Sequence, residues 1–242
     1  MKTFVIGDIH GAFKALQQLL VRMQLQPEDQ LIFLGDYVDG WPQSAQVIEL
    51  LIELQCRYRC IFIKGNHDVH CELWLQNNRN NSTWAQNKGL PTIQSYEPLN
   101  NENRLKHLEF FSRLQFFHID ANDRLFLHAG FKNDNGPAAE SPVENLTLDR
   151  SLWELALTMN KRVISHPALY PKRLKLFKEI YIGHTPTLIY NETIPMSACN
   201  VWNIDTGAGH TGCLSAMDID SKEVIQSDIV QELYPEFRRY RE

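Results

Sequence analysis

An α/β fold is the architecture this sequence predicts, on three observations. Short apolar runs end in Gly-Asp or Gly-Asn, helical apolar patterns follow them, and this grammar occurs three times in the first third of the chain. Buried strands alternating with amphipathic helices imply βαβ units and a sheet covered on both faces. Ligands of such sheets gather in the loops beyond the carboxyl ends of the strands, and every polar motif of this chain falls there.

Taken in order, Thr3–Ile6 reads as a strand ending at Gly7-Asp8, and Phe13, Leu16, Leu19, Leu20 and Met23 mark the following helix. Residues 31–34 form a second run ending at Gly35-Asp36, followed by the helical spacing of Val47, Ile48, Leu51 and Ile52. A third run, 60–63, leads through Gly65-Asn66 toward an apolar stretch at 69–75. Residues 77–103 are rich in Asn, Gln and Ser. A disordered linker is one reading of them, but the spaced Trp74, Trp84 and Tyr96 favour an ordered excursion near the site. Residues 104–112 read as a helix, and 115–120 with 124–128 as a hairpin turning at Ala121-Asn122-Asp123. Residues 130–145 read as loop and 146–159 as a helix. From 180 onward the text is strand and turn, with runs at 181–183, 187–190, 201–205, 213–218 and 223–226.

With 242 residues and 43% apolar content, the chain has material for one large domain, read here as 1–242. The net charge of −5 argues against a general nucleic-acid binder. No apolar stretch approaches the ~18–20 residues that span a bilayer, and the opening apolar run is too short for a signal peptide. Five cysteines, Cys56, Cys60, Cys71, Cys199 and Cys213, show no CxxC spacing. They suggest neither a disulfide framework nor a zinc ribbon, so the expected compartment is the cytoplasm.

Five motifs concentrate metal-capable side chains: Gly7-Asp8-Ile9-His10-Gly11, Gly35-Asp36-Tyr37-Val38-Asp39, Gly65-Asn66-His67-Asp68, His128-Ala129-Gly130 and Gly183-His184-Thr185. Each alone is weak, since a Gly-Asp after a strand is usually a turn and a lone histidine usually structural. Together, at strand ends and in one order, they are not coincidence. Carboxylate, amide and imidazole donors suit Mn, Fe, Zn or Ni rather than a soft thiolate-bound ion. Asp36, at the middle strand end, can bridge two ions; a pair ~3.5–4 Å apart lowers the pKa of a shared water and clamps attacking and leaving oxygens.

The order GDxHG, GDxVD, GNHD, HAG, GHT resembles the calcineurin-like metallophosphoesterase superfamily. The words GDYVD and GNHD resemble its phosphoprotein-phosphatase branch, which includes bacterial protein phosphatases and symmetrical dinucleoside-tetraphosphate hydrolases. The resemblance runs from Thr3 to about Asp220. It implies two mixed β-sheets packed as a sandwich and flanked by helices, with two divalent metal ions, Mn foremost. It implies Asp8 and His10 on one ion, Asn66, His128 and His184 on the other, and Asp36 between them. It further implies His67 as the general acid and Asp39 as the carboxylate that orients it, with metal-activated water attacking phosphorus in line.

The sequence departs from that branch at one important place. GDxVDRG is usual, its arginine gripping the substrate phosphate, whereas here Asp39 is followed by Gly40-Trp41-Pro42. An arginine often found shortly after the Leu-Trp pair is absent after Leu152-Trp153 as well. Such a loss weakens phosphate binding by about 1.5–3 kcal/mol per charged hydrogen bond unless another donor substitutes. Arg79, Lys132 and Arg150 are the candidate substitutes, against the alternative of solvated surface charge. The basic stretch from Lys161 to Lys178 is read as a solvated face. Trp41 is either a platform for an aromatic or nucleobase group or a packed loop anchor.

The expected function is metal-dependent hydrolysis of phosphate esters, with a phosphoprotein or a small phosphorylated metabolite as substrate and no membrane partner. The alternatives are hydrolysis of dinucleoside polyphosphates at an anhydride, and a metal-bound binding module without catalysis.

Overall fold

A computed structural model describes residues 1–77, 83–160 and 170–237. The first sheet contains β1 (Thr3–Ile6), β2 (Gln30–Phe33), β3 (Arg59–Phe62), β9 (Ser215–Asp218) and β10 (Val224–Gln226), in the order β10-β9-β1-β2-β3. Strands β1, β2 and β3 are parallel, with Val5 opposite Ile32 and Ile32 opposite Ile61. Strand β9 pairs antiparallel with β1 and with β10. The second sheet contains β4 (Phe117–Ile119), β5 (Arg124–Leu127), β6 (Glu179–Ile182), β7 (Met196–Ala198) and β8 (Val201–Asn203), in the order β4-β5-β6-β8-β7. Its inner strands β5, β6 and β8 are parallel, and both edges are antiparallel.

The two sheets pack face to face. Val5, Ile32 and Met217 from the first share one buried cluster with Phe126 and Tyr181 from the second. Phe126 and Tyr181 stack there with centroids 4.9 Å apart. The outer face of the first sheet is covered by α1 (Phe13–Met23), α2 (Ser44–Leu54), α3 (Asn66–Asn77), α5 (Leu90–Tyr96) and α6 (Asn101–Ser112), which share a cluster with Phe4, Ile6, Leu31 and Phe33. The outer face of the second sheet buries Leu125, Leu127, Ile180 and Ile182 against Leu152, Trp153 and Ala156 of α7 (Ser151–Met159). The result is a four-layer α/β/β/α sandwich. Alternation places successive strand residues on opposite faces, which is why Phe4 and Ile6 meet helices while Val5 meets the other sheet.

The structure changes several local expectations. The described part of the polar excursion carries two short helices, α4 (Thr83–Gln86) and α5, with Leu90 and Pro91 opening α5. Residues 187–190 are not a strand but a 3₁₀ turn whose Thr187 N–H is donated to the Asp205 carbonyl. Helix α7 starts at Ser151 rather than 146, because the preceding residues turn as 3₁₀ and Asp149 accepts the Leu152 N–H. Strand β7, three residues long, carried no apolar run to announce it. No helix among the described residues is long and apolar enough to cross a membrane.

Candidate active site

The parallel strands deliver the motifs to one edge of the sandwich. The loops after β1 and β2 carry Asp8 with His10 and Asp36, Asn66 opens α3 just after β3, and the loops after β5 and β6 carry His128 and His184. The first two loops are knitted together, with the Ile9 and His10 N–H groups donated to the Asp36 carbonyl and the Gly11 N–H to that of Tyr37. Four site residues, His10, Asp36, Asp39 and His184, hold left-handed φ values of 53°, 52°, 72° and 66°. Non-glycine residues adopt this region at a cost, and such outliers concentrate at functional sites. Close approach also requires glycines: a methyl on Gly65 would collide with Asp36 Oδ1, and one on Gly183 with Asp8 Oδ1.

Asp36 stands at the centre. One compact group of candidate ligands joins it to His10 and His67, another to His128 and His184. His10 Nε2 lies 3.8 Å from Asp8 Oδ2 and 3.6 Å from Asp36 Oδ2. His128 Nδ1 is 2.8 Å from the Leu34 carbonyl, which takes its N–H, so Nε2 faces Asp36 Oδ2 at 3.3 Å and Asn66 Oδ1 at 3.3 Å. The His184 N–H is donated to the Asp8 carboxylate at 3.2 Å. Burial, with the His128 and Arg150 charges nearby, pushes His184 down to about 3.

The electrostatics are those of a cation site. Burial and the neighbouring carboxylates Asp205 and Asp36 raise the Asp8 pKa well above its usual range. Asp36 also suffers burial, but His128, His67 and His10 outweigh it and hold the carboxyl well below the usual range. Acidic groups crowded in a buried cleft are compensated when cations join them, and the donor set of carboxylate, imidazole and amide fits borderline divalent ions. The chain therefore fits a metal pair on its own geometry.

His67, a member of the first of the two ligand groups, turns Nδ1 to Asp39, 2.6 Å from its Oδ2. Burial disfavours the charged ring, yet Asp36 and Asp39 outweigh it and push His67 up to about 9. Asp68, to which no role had been given, organises the loops: its carboxylate accepts the N–H groups of Asp36, Tyr37 and Gly65 at 2.8, 2.9 and 2.8 Å. Burial and Asp36 raise its pKa to about 7. Its place in the GNHD word was the available signal, but a helix-opening aspartate ordinarily reads as a cap.

The substrate-side candidates divide. Trp41 is a correction: it is fully buried, stacks on Tyr234 at 5.2 Å, and donates its indole N–H to the Ala208 carbonyl at 2.7 Å. It is the packed anchor of its loop and presents no face to a substrate. Arg150 is exposed at the start of α7, and its charge reaches His184. Lys132 is exposed, with its backbone N–H donated to Glu140. Arg79 lies outside the described residues, as do Lys161 and Arg162. Part of the basic stretch is engaged rather than solvated, since Arg173 donates to the Phe131 carbonyl and Ser151 Oγ.

A sandwich of two mixed sheets, with acidic and imidazole side chains converging from the carboxyl ends of both, defines a metal-dependent phosphoester hydrolase. The chain belongs to the calcineurin-like phosphoesterase family, whose model matches residues 1–211. It is 27% identical to the asymmetrical bis(5'-nucleosyl)-tetraphosphatase PrpE of Oceanobacillus iheyensis, over 93% of this chain and 91% of that one. The Bacillus mycoides protein of the same name is 29% identical over 93% of both chains. In fold, the chain matches a protein serine/threonine phosphatase from Saccharomyces cerevisiae with a TM-score of 0.61 at 14% identity, covering 94% of this chain and 79% of that one.

Proposed function

We propose that the protein is a dinuclear-metal hydrolase of phosphate esters, with Asp8, His10 and Asp36 on one ion and Asp36, Asn66, His128 and His184 on the other. The observation that carries this reading is that Asp36 belongs to both ligand groups while the His67–Asp39 pair stands directly beside it. When bound, the ions would supply an activated water and neutralise charge on the phosphoryl oxygens. Mn is our first choice, with Fe, Zn or Ni admitted by the same donors. Five free cysteines favour the reducing cytoplasm.

The chain's own residues supply the rest. Protonated His67 donates its Nε2 proton to the leaving oxygen as the ester P–O bond breaks, with Asp39 holding Nδ1. A positioned acid helps most when the leaving group is a basic alkoxide, so this pair favours an ester substrate, a phosphoprotein or a small phosphorylated metabolite. Arg150 stands in for the arginine absent at Gly40. Its place at the start of α7, two residues before Leu152-Trp153, supports it over Lys132. Arg150→Ala is expected to raise KM for phosphoesters about tenfold to hundredfold, the equivalent of a lost charged hydrogen bond, with kcat nearly kept.

A second reading rests on the full-length relatives: the substrate is a dinucleoside polyphosphate, cleaved at an anhydride. Turnover by the Mn²⁺-loaded protein of phosphopeptides, sugar phosphates, aryl phosphates and dinucleoside tetraphosphates separates the two by their kcat/KM ranking. Loss of ester hydrolysis by about 10²–10⁴-fold in His67→Asn is expected from the acid role. Tight phosphate binding with no turnover of any of these compounds would instead mark a silent binding module.

A further inference from the structure

Helices α4 and α5 reach the acid pair through two side chains. Trp84, half-buried in α4, donates its indole N–H to Asp39 Oδ2 at 2.6 Å. That same oxygen faces His67 Nδ1 at 2.6 Å. The other oxygen, Oδ1, accepts the Thr92 hydroxyl of α5 at 2.6 Å. Thr92 Oγ1 in turn accepts the Asp39 N–H at 2.9 Å and lies 3.0 Å from Ser44 Oγ. The indole is itself immobilised. Gly89 packs so closely on its ring that a Cβ there would collide with it, His70 stacks on it at 24° between ring planes, and Trp74 leans against it.

A carboxylate held at one oxygen can still rotate about its Cβ–Cγ bond. Thr92 alone would leave that freedom to Asp39, and the His67 ring would turn with it. A second donor on Oδ2, rigid and in a fixed direction, removes the rotation. We propose that Trp84 is a positioning residue for the His67 acid: it locks the Asp39 carboxylate plane, and so aims His67 Nε2 at the leaving oxygen. The inference rests on the ester-hydrolase reading above. As the bond from phosphorus to the leaving oxygen breaks and that to the attacking water's oxygen forms, the Nε2 proton passes to the leaving oxygen. The proton lost by the attacking water restores the acid, so the net change is water plus ester to alcohol plus phosphate.

Trp84→Phe keeps the ring and deletes the donor. The full chain, loaded with Mn²⁺, is assayed on phosphate monoesters running from p-nitrophenyl to phenyl to an alkyl phosphate. A misaimed acid costs little with a good leaving group and more with a poor one. Trp84→Phe is expected to lose about twofold in kcat on p-nitrophenyl phosphate and about tenfold or more on the alkyl ester, with KM unchanged. His67→Asn should give the same trend, steeper. An equal loss on every ester, or a change confined to KM, overturns the role of Trp84. If Trp84→Phe fails to fold, as judged by circular dichroism, Gly89→Ala displaces the indole instead and is read by the same trend. If His67→Asn shows no dependence on the leaving group, the acid assignment itself fails; if it does and Trp84→Phe does not, only the Trp84 inference falls.

Discussion

Asp68 shows how much of the site rests on one side chain outside both candidate ligand groups. It collects three backbone N–H groups from two motif loops, including that of Asp36, the residue both ligand groups share. Buried donors left without acceptors cost roughly 1–3 kcal/mol each. Asp68→Ala is therefore expected to lose about 3 kcal/mol or more of stability, measured by urea unfolding, and to weaken Mn²⁺ binding in titration calorimetry. Unchanged unfolding would contradict the role. At this scale the sequence was legible where chemistry is written in residue type. Asp8, His10, Asp36, Asn66, His128 and His184 could be picked out as donors by their place at strand ends. Asp68 could not, because its work is done for backbone groups of Asp36 and Tyr37, and no periodicity announces which N–H groups a fold leaves unpaired. Trp41 stayed open for the complementary reason, since an aromatic residue in a loop reads equally as platform or anchor.

At the scale of elements, the Trp41 anchor belongs to a contact between the second motif loop and the residues that follow helix α8 (Val230–Leu233). The indole stacks on Tyr234 and lies 5.8 Å from the ring of Phe237, while Tyr234 Oη accepts the Lys14 N–H and donates to Gln43. Helix α8 is only four residues long and has little stability of its own, so its docking depends on this cluster. Trp41→Ala is expected to cost about 3–5 kcal/mol, seen as a lower urea midpoint, with the C-terminal segment becoming protease-sensitive first. Intact resistance there would refute the clamp. The strands β1, β2 and β3 and the helices α1 and α2 were legible because their apolar period is strong. The helices α4 and α5 were not: α4 is one turn long, and α5 buries the polar Thr92 and Ser95 along with Tyr96. They are ordered by tertiary contact, notably the indole bond to Asp39, which overrides weak local preference.

Across the whole molecule, the candidate ligands come from both sheets, so bound ions would tie the two halves of the sandwich together. A ligand that binds only the folded state stabilises by about 2.7 kcal/mol at a hundredfold excess over its Kd. For a chain of this length, saturating Mn²⁺ should raise Tm by on the order of 5–10 °C, reversed by EDTA and absent in Asp36→Asn. A thermal melt that ignores Mn²⁺ would overturn the shared site. By itself the sequence determined the α/β class, the order of the motifs and the chemistry of their side chains, since strand period and donor type are local properties. The tertiary structure alone decided which sheets and loops bring residues 128 and 184 to residue 36, that Asp68 and Trp84 serve the site, and that Trp41 does not. Those are matters of burial and of hydrogen-bond partners far apart in the chain, which exist only once the sheets have packed.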